Sequence, residues 1–483
     1  MWGQLPYIAK LEKAGIPTVI IDLEDQHEMV KLEAMASGVP KVRFLAASRT
    51  LPGPEDVDQW IEPMLEMLTR PLTDEEKESG MYVPPQDRIL FEGTLDEAEE
   101  FYQQTEHIPW PVDAPLTVYT DGYPIRVPTE ERVREMLKGT SHKPDELITY
   151  QSDRTGMMGN MMKKGDPVRF QPRLWTATVE KVAVNAVMAG CKPEYFPVVL
   201  AIAESGCGTG TTVFNNQWVC VSGPIAKELK MNSGLGMLDP GNPANTTIGR
   251  TYQLMARNLG GAISGINRMS SIGSPFNTGG TCFAENSDGL PPGWKGLNEE
   301  YGYRKDESIA MVMNGGFGIQ GGQFSPGGYR AFQKSGHGGV ARKLGVKGIP
   351  GPHNWLQYLV PDIWASREGS FTLIMVPEMA QHLYEIGFKS KDEVYEWLWK
   401  QSFLPLSRYR DYSWPDMTTN GWLGIEKTSG KHWKELPDDY LVPVVDDPRD
   451  FCIIIGGGDE EVCQEIGGRR AGSHPVYSID AWR

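Results

Sequence analysis

Short, continuously apolar runs alternate with amphipathic stretches at helical spacing, and glycines punctuate the changeovers. No other feature of this chain narrows its possible folds as far. Ile16–Asp22 is such a run. It lies between a helical Tyr7–Lys13, ended by Gly15, and His27–Ser37, where Met29, Leu32 and Met35 recur at helical spacing before a C-capping Gly38. Lys41–Ala47 is a second strand and Asp56–Leu68 another amphipathic helix. Apolar strands that alternate with helices belong to sheets covered on both faces, which are parallel or mostly parallel. The spacing predicts an α/β fold.

The same texture resumes after residue 166. Helices are expected at Thr176–Ala189, Thr246–Asn258, Pro377–Gly387 and Lys391–Gln401. Strands are expected at Tyr195–Ala203, Val213–Val221, Ser308–Met313, Phe371–Val376 and Asp450–Ile455, the last followed by Gly456–Gly458 and a short helix. Residues 70–150 are rich in proline and acidic residues and read as a connector with a small hairpin at Thr117–Val127, and 315–354 form a long glycine-rich stretch. A chain of 483 residues should hold at least two cores. The division reads as a partial α/β domain over 1–75, a connector over 76–150, a larger α/β domain over 151–390 and a C-terminal segment over 391–483. The first domain looks incomplete because it opens on a helix rather than a strand.

Lys and Arg total 47 against 63 Asp and Glu, a formal charge of −16, which argues against nucleic acid or an anionic membrane as the main partner. No apolar run reaches the length of a membrane helix and no signal peptide is apparent, so a cytoplasmic protein is expected. The six cysteines are too sparse for a disulfide framework, and no two are spaced Cys-x-x-Cys.

Three segments could carry chemistry. In Glu204–Thr212, glycines flank Cys207 at the expected carboxyl end of a strand. Exposed amides there could lower the thiol's pKa and make Cys207 a nucleophile, with Thr211 and Thr212 beside a substrate. The plain alternative is a glycine-rich turn with an inert thiol. In Asp239–Arg250, Asn245 or Thr246 caps a helix and Arg250 lies one turn in, a combination suited to a carboxylate or phosphate, or else to a structural ion pair. In Asn277–Asn286, Glu285 is a candidate general base, with Cys282 and Asn286 nearby. His337 and His353 sit in the glycine-rich stretch and, with Cys282, are candidate metal ligands assembled from distant loops. The cofactor is left open, with a metal ion as the candidate.

Two sets of segments carry a resemblance. Gly15–Val19, Gly38–Lys41, Glu62–Leu68 and Leu72-Thr73 resemble the second half of the UGSC-type (seleno)protein domain, itself similar to the selenoprotein B component of glycine reductase. Thr178–Ala183, Met188–Pro197, Ser222–Pro224 and Asn245–Arg250 resemble the larger domain fused to UGSC units in some bacterial proteins. The family's Sec/Cys-Gly-Ser-Cys motif precedes the Gly15–Val19 stretch in that family and does not occur here. Its thiol or selenol chemistry therefore maps onto no residue of this chain.

What the resemblance implies is an enzyme subunit that cleaves or forms a carbon–heteroatom bond, most plausibly carbon–sulfur, using a thiol from a partner chain that carries the front half of the UGSC-like domain. Cys207, Arg250 and Glu285 would then be nucleophile or redox partner, clamp for a small anionic substrate, and base. Two alternatives stand beside it: a self-contained metalloenzyme of hydratase, lyase or hydrolase type with loop-borne Cys, His and Glu ligands, and a non-catalytic binding or scaffold subunit.

Overall fold

The computed structural model describes residues 5–24, 27–36, 38–39, 41–47, 54–77, 87–108, 112–155, 161–209, 217–268, 270, 273, 280–314, 347, 351–365, 371–412, 424–426, 428–445, 447–458, 463–467 and 476–483. The α/β class expected from the alternation is what it shows, but the expected parallel or mostly parallel sheets are corrected: the larger sheets are mixed, because several neighbouring strands run antiparallel.

Two sheets form the centre. In the first, Val476–Ser478, Ile309–Asn314, Gln217–Ser222 and Thr281–Ala284 lie side by side in that order, antiparallel except for the last pair. In the second, Phe371–Met375 is flanked by Phe451–Ile455, parallel, and Cys463–Gly467, antiparallel. Side chains alternate across a strand, so each sheet has two faces to cover. Trp218, Cys220, Phe283, Met311 and Met313 of the first sheet pack with Ile374, Cys452 and Ile454 of the second in one buried cluster. The opposite face of the first sheet, with Val219, Val221 and Val312, packs on helices Val179–Ala189, Phe196–Ala203 and Pro243–Asn258. The opposite face of the second, with Leu373, Ile453 and Ile455, packs on Pro377–Glu385 and Lys391–Gln401. The layers therefore run helix, sheet, sheet, helix.

The expected strand Tyr195–Ala203 is instead a helix, Phe196–Ala203, in which every residue is buried. A short uniformly apolar run carries no periodicity to separate a buried strand from a buried helix. Here Pro197 sits in the first helical turn, where its missing N–H costs nothing. The short helix expected after Gly456–Gly458 is likewise corrected, because Cys463–Gly467 is a strand paired along Phe371–Met375. The connector's hairpin is Thr105–Ile108 with Ala114–Thr117, just before the expected position. It is joined there by helices Leu95–Gln103 and Glu130–Met136.

The N-terminal unit is small. Ile20–Leu23 and Phe44–Ala47 pair in parallel, with helices Leu5–Lys13, His27–Ala36 and Pro54–Thr69 around them. Its core is Ala9, Ile20, Val30, Ala34 and Val39. The segment 391–483 supplies a strand or more to each large sheet, and buried Trp482 closes the first core. Among the described residues, no helix is long and apolar enough to cross a membrane.

Candidate functional site

A cleft of about 1910 Å³ opens where the N-terminal unit, the 87–130 segment and the outer helical layer meet. Junctions between units are where ligand sites concentrate, and this volume exceeds the roughly 300–1,000 Å³ usual for small-molecule pockets. Its floor is the outward face of helix Val179–Ala189 and the end of helix Pro243–Asn258, together with the loop bearing Arg173 and Trp175. Seven basic side chains line it against five acidic ones, in a chain whose formal charge is −16. An anion repelled by most of this surface is tolerated in the cleft.

Local sequence sets the cleft's walls. Thr94 and Glu97 form a reciprocal capping box that starts helix Leu95–Gln103, with the Thr94 N–H donating to Glu97 Oε2 at 2.8 Å. That helix presents Phe101, stacked on Phe91 at 5.1 Å between centroids and on Tyr119 also at 5.1 Å. Tyr102 meets Tyr119 edge-on at 5.8 Å. Across the floor the Arg173 guanidinium lies 5.5 Å over the Trp175 ring.

Arg257 is the distinctive cation. It lies two helical turns after Arg250, so both point from one helix face toward the 117–123 segment. Arg257 Nη2 donates to the Thr117 carbonyl, while its Nε is buried with no hydrogen-bond partner. Burial holds its pKa below the ordinary arginine value, with Asp121 opposing. Asp121 is already committed, because Arg250 donates to both of its oxygens at 2.9 and 2.8 Å. Among the described residues, Arg257 forms no ion pair.

None of the described residues singled out from sequence lines this cleft. Cys207 is fully buried, not open, and burial pushes its thiol far above the ordinary range, with the Ser205 hydrogen bond opposing. The flanking glycines work opposite to expectation. A Cβ on Gly206 would stand 2.7 Å from the Arg169 carbonyl oxygen, so glycine lets the turn close tightly over the thiol. Cys207 itself has φ +46°, a left-handed conformation unusual outside glycine. Its neighbour Glu204, also buried, accepts from the Gln151 N–H at 2.9 Å and the Trp482 indole at 3.1 Å.

Arg250 is corrected from substrate clamp to internal pin: its anion is Asp121, and Nη2 also donates to the Tyr123 carbonyl at 3.2 Å. Asn245 is buried and holds the preceding loop, accepting from the Asn232 N–H at 3.1 Å and donating to the Asn232 and Met237 carbonyls at 2.9 and 3.2 Å. The helix is capped by Asn242, three residues earlier. Asn286 accepts from the Gly289 N–H at 3.1 Å and caps a short turn.

Glu285 does lie at the carboxyl end of a strand, but in a closed network. It accepts from the Ser222 hydroxyl at 2.7 Å, the Leu297 N–H at 2.8 Å and Lys391 Nζ at 3.2 Å. Lys391 also donates to Glu300 at 2.9 Å, and Glu300 accepts from the Tyr395 hydroxyl at 3.1 Å. Burial alone would lower the Lys391 pKa, but the two carboxylates outweigh it and hold it above the ordinary value. With its oxygens occupied and no exposed surface, Glu285 has no route to a substrate proton.

Cys282 is buried in its strand, and burial raises its thiol. His353 is exposed. Thr211, Thr212 and His337 lie outside the described residues. Among the described residues, no group of three or more His, Cys, Asp and Glu side chains is placed to hold a metal ion.

The residues that sequence reasoning missed are Arg257 and the rings at 91, 101, 102, 119 and 175. A signal existed: aromatic residues are dense in a segment read as a connector, and Arg257 repeats the helix position of Arg250 seven residues on. No family profile, curated protein or solved structure matches the chain.

Proposed function

We propose that this chain is the substrate-holding subunit of an enzyme acting on a small anionic molecule, with the reactive thiol supplied by a partner polypeptide. One observation carries the reading: Arg257, a guanidinium with no carboxylate partner among the described residues, lines a large cleft of basic excess. A carboxylate or phosphate oxygen in the cleft would pair with the part of that guanidinium that lines it.

The partner-borne thiol is supported by the chain's own cysteines, all six of which are unpaired and buried. Free thiols suit a cytoplasmic setting. The N-terminal unit supplies a surface for a partner. Val57, Ile61 and Leu65 form a stripe of one-turn spacing on helix Pro54–Thr69 and are exposed at 42%, 40% and 50%, beside a parallel sheet with two strands among the described residues. The resemblance to UGSC-type proteins suggests what completes that sheet, and with it the reaction class, cleavage or formation of a carbon–sulfur bond. The buried thiols equally favour a second reading, a subunit that binds the anion without turning it over.

The test is calorimetric titration of the protein with inorganic phosphate and with hexanoate at fixed ionic strength. Saturable binding of at least one anion, lost in Arg257→Gln, is expected. Absence of saturation with either anion, or binding unchanged in Arg257→Gln, would overturn the reading.

A further inference from the structure

We propose that the molecule held in the cleft is a planar aromatic acid, its ring system lying against the Phe91–Phe101–Tyr119 stack and its acidic group on Arg257. The inference rests on the anion reading above and adds the chemical class of the ligand's body.

The stack is preorganised. Phe91 and Phe101 are tilted by 24° and Phe101 and Tyr119 by 26°, with 5.1 Å between ring centroids in each pair. Each end is held by backbone. A Cβ on Gly93 would stand 2.7 Å from Phe91 Cε1, so glycine allows the chain to pass tightly along that ring's edge. At the other end the Val118 N–H donates to the Gln104 carbonyl at 3.1 Å, tying the Tyr119 segment to the end of the helix that carries Phe101.

These rings are not a closed core. Phe91 is 37% exposed, and Phe101, Tyr102 and Tyr119 are only half-buried, although each lines the cleft. A flat apolar wall left partly wet gains from any surface that covers it, and rings prefer offset-parallel or edge-on neighbours at about 4.5–7 Å between centroids. A fused-ring system satisfies that geometry, whereas a flexible alkyl chain loses rotamer freedom on docking.

The acid end follows from the same strand. Arg257 is anchored on the Thr117 carbonyl, and Tyr119 lies two residues further along that segment. Arg257 and Tyr119 both line the cleft. A ligand whose ring lies on the stack presents a carboxylate to Arg257.

Calorimetric titration of the whole chain with 2-naphthoate, hexanoate and neutral 2-naphthol, at matched ionic strength, tests this. Expected is 2-naphthoate binding at least tenfold tighter than hexanoate and than 2-naphthol. Phe91→Leu, a change at an exposed ring, should erase most of the preference over hexanoate; Phe101→Leu should act alike. Equal affinity for 2-naphthoate and hexanoate overturns the aromatic inference and leaves the anion reading standing. Equal affinity for 2-naphthoate and 2-naphthol overturns both, because the acid group would then contribute nothing. No saturable binding of any of the three overturns the aromatic inference, and if phosphate also fails to saturate, the anion reading with it.

Discussion

Lys391 Nζ lies 3.2 Å from Glu285 Oε1 with both side chains sealed from solvent, 2% and 0% exposed. Glu285 follows a strand of one sheet and Lys391 begins a helix that covers the other. Their ion pair, extended by Glu300, joins the two halves of the layered core through a point where no water can substitute.

Removing the lysine should therefore cost far more than removing a surface charge. Lys391→Met leaves two buried carboxylates facing each other and should destabilise the protein by about 3–5 kcal/mol. The double change Lys391→Met with Glu285→Gln should recover part of that loss. Chemical denaturation midpoints of the three proteins check it, and strict additivity would contradict the network.

Thiol accessibility gives a second check. In the folded protein Cys207 should resist iodoacetamide at neutral pH, since burial keeps its thiol protonated and out of contact with reagent. All six cysteines should become reactive only in denaturant. Peptide mass spectrometry after timed labelling reads this directly; early modification of Cys207 would show that the closed turn is not the solution state.

Arg250 and Asp121 should behave as a stability pair. Arg250→Lys loses one prong of a two-point contact and should cost about 2 kcal/mol without altering affinity for hexanoate. Asp121→Asn should cost a similar amount, and the two together less than their sum. A double-mutant denaturation cycle with calorimetric titration measures both quantities.

Acid stability should depend on Glu426. Burial pushes its pKa up, but hydrogen bonds from the Thr428 and Ser429 N–H groups and from the Ser429 and Tyr440 hydroxyls outweigh this, lowering it from 4.5 to about 2. A carboxyl lowered on folding contributes stability that is complete above 4.5 and lost as pH falls toward about 2. Glu426→Gln should flatten that stretch of the stability–pH curve while lowering stability at pH 7. Denaturation at a series of pH values decides it; identical slopes would remove Glu426 from the account.

Local pattern was legible in this sequence, and distance was not. Helix Val179–Ala189 ends at Gly190 in a left-handed cap, as its letters show, while its start, capped by Thr178, comes three residues after the expected Thr176. The strands Ile20–Leu23, Phe371–Met375 and Phe451–Ile455 are apolar runs with clear breaks beside them. Phe196–Ala203 defeated the same reasoning because a run without polar positions has no period to measure; it is a helix buried against helices Val179–Ala189 and Pro243–Asn258 and a sheet. The site was hidden for a stronger reason. Whether glycines beside Cys207 open or close a turn depends on the Arg169 carbonyl that meets them. Whether Arg250 is free depends on Asp121, 129 positions away, and Arg257 meets Thr117 across 140. Residue chemistry is written in the chain; which groups satisfy one another, and which donors are left unmet, is decided when the layers pack.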